Sequence, residues 1–467
     1  MTEESKAKIG FVATSMGAFD AVLDVQEIRQ MDQYSPLIAR LLDGIRPIAQ
    51  VVDLGVAGND REATVLRDKI ASAGCDLLLV WPLNYTLDTV VLHLVQGLRL
   101  PLLLLNSMPE ATFPANFNFA RIMGNSTVSC IPTITNVLCK NHVPFTLISG
   151  ALQDPSVYAE IALHASAART VRALRKSKIG MVGHSYPGIS ALSVDQAAVT
   201  GHFGVELVEI SVPEIIREYQ AVGEEEVRTL ASQVQSSCQI SEITAQEIEH
   251  SVRFEPALRR LAAKHGINAL ASLCQELIMT DALGIAPCHA HTVLAGMGIP
   301  VTCECDLATA VTLLILRQFT DEVIFLEFYT QDFARGLGMF SHCGQGNLRL
   351  AGGEVTVKPH PCYPAARGRG IAYEYVAKAG DATIACLTQL DGRWRMVAAR
   401  IECLPHQKLP SSTAQVYFKF KDQEFNHAYR RWCELGGISH LGIAYGDHMQ
   451  ALKTSCSYLD VDFCGVA

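Results

Sequence analysis

The sequence predicts an α/β protein: two tandem doubly wound, Rossmann-like parallel-sheet domains followed by a β-rich, barrel-like C-terminal domain. Three observations carry this expectation. Through the first two thirds of the chain, continuous apolar runs alternate with amphipathic segments, the pattern of parallel strands covered on both faces. The glycine-bearing strand "KIGFVAT" (8–14) is echoed at "SKIGMVG" (177–183), so the arrangement restarts. Beyond about residue 330 the apolar residues alternate with polar ones between Asp-Gly turns, which indicates antiparallel sheet. The expected domains are 1–170, 171–328 and 329–467.

In the first domain the strands are "KIGFVAT" (8–14), "IAQVVDL" (48–54), "DLLLVWP" (76–82) and "LPLLLLN" (100–106). Helices fall at 26–44, 60–74 and 86–97; Asn59, Asp60 and Glu62 mark the start of the second of these. In the second domain, 177–183 is a strand, "HSYPGIS" a loop and 190–203 a helix. "VELVEIS" (205–211) and "NALASLC" (268–274) are further strands, with helices within 213–236 and 244–265, near 278–297 and at 305–319. The third domain holds strands in "EVTVKPH", "IAYEYVAK", "DATIACLTQLDGRWRMVAARIECL" and "AQVYFKF". A helix at 423–435, a loop "GGISHLGIAYGDH", another helix and a last strand follow. In such sheets ligand sites open at the carboxyl ends of the strands and between domains.

Composition excludes several classes. Apolar residues are 49% and charged residues 18% of 467, enough for sizeable cores and unlike a disordered chain. The net charge of −9 is interspersed, with no basic face for nucleic acid and no polybasic membrane segment. The polar start "MTEESKAKIGFVATS" runs straight into a strand and does not read as a signal peptide. The longest apolar runs are broken by Pro82, Asn84 and Pro101 before reaching membrane-spanning length. Fifteen cysteines scattered over a large chain read as reduced thiols of a cytoplasmic protein. No GxGxxG follows the first strand and no P-loop lysine is present, so no nucleotide cofactor is expected.

Two carboxylates stand where burial is expected. Glu304 lies between two cysteines at the mouth of an apolar helix, and Glu327 lies inside the apolar run Val323–Phe328. A buried carboxylate stays ionised when it meets a metal or a cationic partner. Separated by one helix, the two glutamates sit at successive strand ends and can project into one crevice. His342, in the small-residue loop "GMFSHCGQG", and His440, in "LGGISHLGIAY", are the imidazoles with the most unusual settings. Two carboxylates and two imidazoles with open positions suit an octahedral ion such as Mn²⁺ better than structural zinc. Spacing alone leaves satisfied core residues as the competing reading for each of the four.

Other motifs read as structure. In "CHAH" (288–291), Cys288, His289 and His291 fall in a helix, where i and i+2 diverge, so partly packed histidines are expected rather than a metal cluster. Cys303 and Cys305 are too close in sequence for a zinc knuckle. "GHSYPG" does not match the GxSxG nucleophile elbow, and Arg367 and Arg369 read as a solvated turn. For sugar hydroxyls, the strand-end candidates are His184, Tyr186, Gln275 and Glu276, with the loops "TSMGAFD" (14–20) and "WPLNYT" (81–86) beside them. Packing and capping compete at each.

"CECDLATAVTLLILRQF" resembles the GEGDW-type segment of the L-arabinose isomerase family, and "FLEFYTQDF" resembles its FMEDYTYHF segment. "MFSHC" is similar to its GSHM segment, "LGGISH" to its AGGAHH segment, and "HPCYPAARGRG" (360–370) to its HP…DPAR stretch. These segments occur in family order, and the L-fucose isomerases share the fold and general chemistry. The resemblance implies that Glu304, Glu327, His342 and His440 ligate a divalent metal, Mn²⁺ with Mg²⁺ or Co²⁺ as alternatives. It further implies that Glu304 and Glu327 are the acid/base pair of an aldose–ketose isomerase working through an enediol. The substrate is then a pentose, a 6-deoxyhexose or a 6-substituted hexose such as L-arabinose, L-fucose or sulfoquinovose. A homo-trimer or homo-hexamer is implied as well. GEGDW has become "CECDL" and AGGAHH keeps only its last histidine, so the pocket around the donors is altered. The rival expectation is a non-catalytic sugar-binding module of the periplasmic-binding-protein type, which needs no metal. A third is a family member without activity.

Overall fold

The computed structural model describes residues 6–15, 31–113, 115, 118–280, 282–362 and 370–466. The chain divides into two compact units, Met1–Arg172 and Ala173–Ala467. Most of the loop 14–20, the start of the helix expected at 26–44, and Arg367 and Arg369 lie outside the described residues.

The first unit is a five-stranded parallel sheet. Its strands are β1 (Lys8–Thr14), β2 (Gln50–Ala57), β3 (Leu77–Pro82), β4 (Leu102–Asn106) and β5 (Thr146–Ser149), in the order β2-β1-β3-β4-β5. β3 is buried at all six positions, as a strand covered on both faces must be. The "WPLNYT" residues are taken up internally. Trp81 Nε1 donates to the Ser107 carbonyl at 2.9 Å, Asn84 Nδ2 to the Tyr34 hydroxyl at 3.1 Å, and Thr86 and Thr14 share a hydrogen bond.

The second unit opens with a four-stranded parallel sheet. β6 (Lys178–Val182), β7 (Glu206–Glu209), β9 (Ala269–Ser272) and β10 (Val301–Cys303) take the order β10-β9-β6-β7. The two-residue β8 (Gln239–Ile240) intervenes in sequence and joins a different sheet. Where the sequence predicts one helix near 278–297, the structure has two, Cys274–Ile278 and Cys288–Gly296. Gly284 takes a left-handed φ of 63° between them and Pro287 caps the second, two features that do not continue a helix. The helix expected at 190–203 likewise starts late, at Gln196, behind the N-cap Asp195.

Together with β8, the nine remaining strands form a ten-stranded sheet around a barrel. They are β11 (Val323–Asp332), β12 (Leu337–Ser341), β13 (Thr356–Pro359), β14 (Ile371–Val376), β15 (Gly380–Leu390), β16 (Arg393–Leu404), β17 (Ala414–Phe420), β18 (His440–Tyr445) and β19 (Asp462–Gly465). Pairing of β16 with both β15 and β17 closes the circuit β16-β15-β18-β11-β12-β17 into a six-stranded antiparallel barrel. The β15–β16 hairpin turns on Asp391-Gly392, both at positive φ, the signature of a two-residue hairpin loop. β11 starts before residue 329, so the barrel takes in the end of the expected central domain.

One helix ties the parallel sheet to the barrel. Leu307–Leu316 is buried at every position and packs on β11, β15 and β18. Its approach to β18 is close: a Cβ at Gly442 would stand 2.7 Å from Leu316 Cδ1, so glycine is required there. Thr312 Oγ1 accepts from the Leu387 amide of β15 at 3.0 Å. The N-terminus of this helix therefore meets the barrel in a fixed position.

Candidate metal centre and sugar site

Barrel register brings three donors together. On β11, Glu327 pairs with Ser341 of β12 on one side and with His440 of β18 on the other. His342 follows Ser341 directly, so all three residues sit at one end of three adjacent strands. Glu327, His342 and His440 each offer an atom, all within 4.8 Å of one another. Glu327 is 3.8 Å from His342 Nε2 through one carboxylate oxygen and 3.8 Å from His440 Nε2 through the other. The Phe325 ring packs against both imidazoles with centroids at 5.0 Å. That aromatic wall keeps the imidazole planes from turning.

The fourth expected donor arrives from the parallel sheet. Glu304 follows β10 directly, and its carboxylate lies 3.5 Å from His440 Nε2. It joins the group through His440 and is not one of the three mutually close donors. Glu304 and Cys305 adopt φ of 59° and 53°, left-handed values that side chains take at a cost. Tyr186 supports the turn by donating its backbone N–H to the Glu304 carbonyl at 3.2 Å. Ligand atoms side by side on an octahedral ion with bonds of about 2.1 Å stand roughly 3 Å apart. The 3.5–3.8 Å carboxylate–imidazole separations fit such an ion after small movements.

Asp306 was not among the site residues expected from sequence, yet it orients the centre. Its fully buried carboxylate caps the helix Leu307–Leu316 by accepting from the Thr309 amide at 2.9 Å, and it accepts from the Thr309 hydroxyl at 2.6 Å. The same carboxylate lies 3.0 Å from His440 Nδ1. A carboxylate can only accept here, so Nδ1 carries a proton and Nε2 is the nitrogen left directed at the glutamates, free to ligate once it has no proton of its own. The available signal was an aspartate immediately before an apolar helical run in "CECDL".

Burial and charge set the protonation of the group. Burial raises Glu304, His440 counteracts it and Asp306 adds to it. Burial also raises Glu327, opposed by His440 and reinforced by Glu304. Burial works against a charged His440, but the Asp306 hydrogen bond and the surrounding carboxylates outweigh it and raise its pKa. His342 is pushed well down by burial and by His440, His360 and His291, which leaves it neutral and able to ligate.

The hydroxyl candidates line the ends of the neighbouring strands. His184 follows β6, and Gln275 and Glu276 follow β9; β9 pairs with β10 in the sheet, and β6 pairs with β9 on its other side. His184 Nε2 and Glu276 Oε1 are 3.6 Å apart and both side chains are largely exposed. Gly183 makes this possible at φ 76°, where a Cβ would meet Glu276 Cγ at 2.9 Å.

The "CHAH" residues are more deeply buried than the sequence suggests. His289 bridges the Tyr373 hydroxyl at 2.6 Å and Glu255 at 3.2 Å. Neither ring nitrogen of His291 has a hydrogen-bond partner among the described residues, and burial pushes its pKa down to about 3. A depressed histidine contributes nothing adverse at pH 8. Below its ordinary value the unfolded chain takes a proton that the folded chain refuses, so stability falls by about 1.4 kcal/mol per pH unit. His291→Leu removes the titrating group, and the variant should gain about 2 kcal/mol on the wild type between pH 8 and pH 5 in urea unfolding. A difference that stays flat over that range contradicts this account.

Comparison with known proteins agrees with the geometry. Residues 322–462 match the L-arabinose isomerase C-terminal domain, the segment that spans the closed barrel. Sulfoquinovose isomerase of Priestia aryabhattai is 23% identical over 328 residues, 69% of this chain and 70% of that protein. L-Arabinose isomerase of Nocardioides sp. is 22% identical over 446 residues, 91% of this chain and 88% of that protein. That of Mycolicibacterium smegmatis is 21% identical over 454 residues, covering 93% and 88%. An Agrobacterium vitis solute binding protein bound with alpha-D-tagatopyranose covers 64% of this chain and 92% of its own at a TM-score of 0.17 and 12% identity, too low to bear on the rival reading. The family's C-terminal domain thus matches the barrel that carries Glu327, His342 and His440, and over nine tenths of its sequence the chain is similar to L-arabinose isomerases.

Proposed function

We propose that this aldose–ketose isomerase holds a divalent ion, Mn²⁺ in the first instance, on Glu327, His342 and His440, with Glu304 completing the set. The observation that carries the reading is the three-donor group within 4.8 Å, with Glu304 joined to it through His440. When bound, the ion supplies a Lewis acid for adjacent sugar oxygens.

The protein's own part is proton management. Isomerisation moves a proton between C1 and C2 of an open-chain sugar, and a carboxylate whose pKa is raised is a better base for a weakly acidic C–H. Glu304 and Glu327 are both raised by burial, and Glu304 raises Glu327 further. The pair is therefore suited to having one member ionised, to take the carbon proton, and one protonated, to serve the oxygens. Asp306 keeps the proton of His440 on Nδ1. We assign hydroxyl recognition to His184, Gln275 and Glu276, and give Tyr186 the backbone role of holding the Glu304 turn.

The substrates named by the relatives, L-arabinose and sulfoquinovose, are the first to test. The glycines of the family's GEGDW segment are replaced by Cys303 and Cys305, which reshapes the wall nearest Glu304. Among the described residues no helix is long and apolar enough to cross a membrane. We place the chain in a reducing cytoplasmic setting, where its fifteen cysteines are kept as thiols. A homo-trimer or homo-hexamer remains part of the proposal.

The test is a panel of aldoses and ketoses in D₂O with added Mn²⁺, followed by NMR for exchange at C1 and C2. Chelation should abolish the exchange and Mn²⁺ should restore it. Full activity after thorough chelation would contradict the metal reading, and absence of exchange with every sugar would favour a binding module.

A further inference from the structure

The loop that leaves β12 through His342 carries two buried side-chain amides, Gln345 and Asn347, which take no part in the donor group. Each grips a different strand. Asn347 Nδ2 donates to the carbonyl of Val323, the first residue of β11, at 2.9 Å. Gln345 Nε2 donates to the carbonyl of Val301, the first residue of β10. A carbonyl only accepts, so the amide nitrogen must face Val301, and Oε1 is left to accept from the Cys303 thiol at 3.5 Å.

These two strands deliver the two glutamates, and they are held unequally. β11, which bears Glu327, runs for ten residues and pairs on both sides, with β12 and β18. β10, which Glu304 follows, is three residues long and lies at the edge of its sheet, paired with β9 alone. An edge strand leaves one row of backbone groups without ladder partners. Gln345 supplies a partner there from a loop of the barrel. That loop is itself fixed. The Gly346 amide donates to Thr292 Oγ1 at 3.1 Å, and the Asn347 amide donates at 2.8 Å to the Tyr375 hydroxyl, which donates back to the Asn347 carbonyl at 3.0 Å. Gln345 is 2% exposed, so water does not compete for its bonds.

We propose that Gln345 is a positioning residue for the isomerase reaction: by tying the loop after His342 to β10, it sets where Glu304 stands relative to Glu327, His342 and His440. β10 ends directly in the left-handed turn at Glu304 and Cys305, so a shift of the strand passes to the Glu304 carboxylate. The Asp306–His440 hydrogen bond holds the far side of that turn. Loss of Gln345 therefore displaces Glu304 without releasing the helix behind it. A displacement of about 1 Å at a reacting group lowers turnover about 100-fold.

This role rests on the metal reading proposed above, and one arm of its test does not. Gln345→Met keeps the length of the side chain and loses both hydrogen bonds. Gln345→Asn keeps the amide but is one carbon too short to reach β10. Thr292→Val is the control, since it loosens the same loop without touching β10. In hydrogen–deuterium exchange of the metal-free protein, both Gln345 variants should exchange faster than the wild type at 301–306 and unchanged at 323–327. Thr292→Val should leave 301–306 as in the wild type. With Mn²⁺ added, Gln345→Met should lower kcat about 100-fold and weaken Mn²⁺ affinity about tenfold. Placed on Glu304→Gln, it should weaken Mn²⁺ affinity no further, because the carboxylate it positions is gone. Unchanged exchange at 301–306 in both Gln345 variants overturns the proposal. So does a loss of Mn²⁺ affinity that adds in full to that of Glu304→Gln, or a Thr292→Val protein that reproduces every effect. A wild type that binds no Mn²⁺ overturns the metal reading instead, and the exchange result then decides alone whether Gln345 fixes β10.

Discussion

Glu327→Gln is expected to lower kcat by about a thousandfold, the middle of the range for removing a positioned acid or base, while the protein stays folded. The glutamine keeps the size of the side chain and one carbonyl oxygen, so the barrel pairing of Glu327 with Ser341 and His440 is undisturbed. It removes the proton-accepting function and one anionic donor for the ion. The raised pKa of Glu327 fixes the sign of the stability change. A carboxyl raised on folding destabilises the folded state progressively as pH rises past its unfolded value. The amide lacks that penalty, and metal-free Glu327→Gln should melt no lower than the wild type at neutral pH. With Mn²⁺ present the order should reverse, because the wild type gains more from the ion. Near-normal kcat in this variant would remove Glu327 from the mechanism, whereas a collapse in melting temperature would mean that the carboxylate serves the fold. Glu304→Gln separates the two glutamates further. It too should abolish turnover, but with a smaller loss of metal affinity, because Glu304 reaches the donor group only through His440.

That Glu327, His342 and His440 come together was legible in the sequence, and the reason is register. Period-two alternation assigns each barrel residue to a face, and a charged residue in the apolar run Val323–Phe328 must therefore point where charge is tolerated. Glycine pairs and small residues around His342 and His440 marked the strand ends at which loops turn back. The tandem α/β halves were legible for the same reason, since buried parallel strands are continuous apolar runs. What failed to show has a tertiary cause. Closure through β16 and β17 depends on a pairing, Leu404 with Tyr417 out to Ile401 with Phe420, that no local pattern specifies. The break between Ile278 and Cys288 was hidden because apolar residues continue across it, although Gly284 and Pro287 were there to be weighed. His291 looked like a partly exposed helix-start residue, because nothing local says that the helix Cys288–Gly296 is buried on nearly every face. Asp306 was overlooked because one side chain performs two tasks. Its helix-capping role is written in the sequence, while its hydrogen bond to His440 spans 134 positions and exists only in the fold.

That double role makes Asp306→Asn the most informative change outside the donors themselves. The asparagine carbonyl oxygen can still accept from the Thr309 amide, so the cap of Leu307–Leu316 survives. The NH₂ group, however, then faces His440 Nδ1, where the carboxylate had accepted a proton. Two donors cannot meet there, and the imidazole must move its proton to Nε2, the nitrogen directed at Glu304 and Glu327. A protonated Nε2 cannot ligate. Mn²⁺ affinity should therefore fall about 10- to 100-fold, the usual effect of losing a partner behind a ligating histidine. Turnover should fall with it and recover in part at high Mn²⁺. Asp306→Ala provides the control. It loses the acceptor at both ends, leaves the Thr309 amide unsatisfied, and should cost about 1 kcal/mol more in stability than Asp306→Asn. The two variants thus divide the helix cap from the histidine orientation. Should Asp306→Asn bind Mn²⁺ as tightly as the wild type, His440 would not be held to its ligating tautomer by this aspartate, and the centre would need another source of order for its best-buried imidazole.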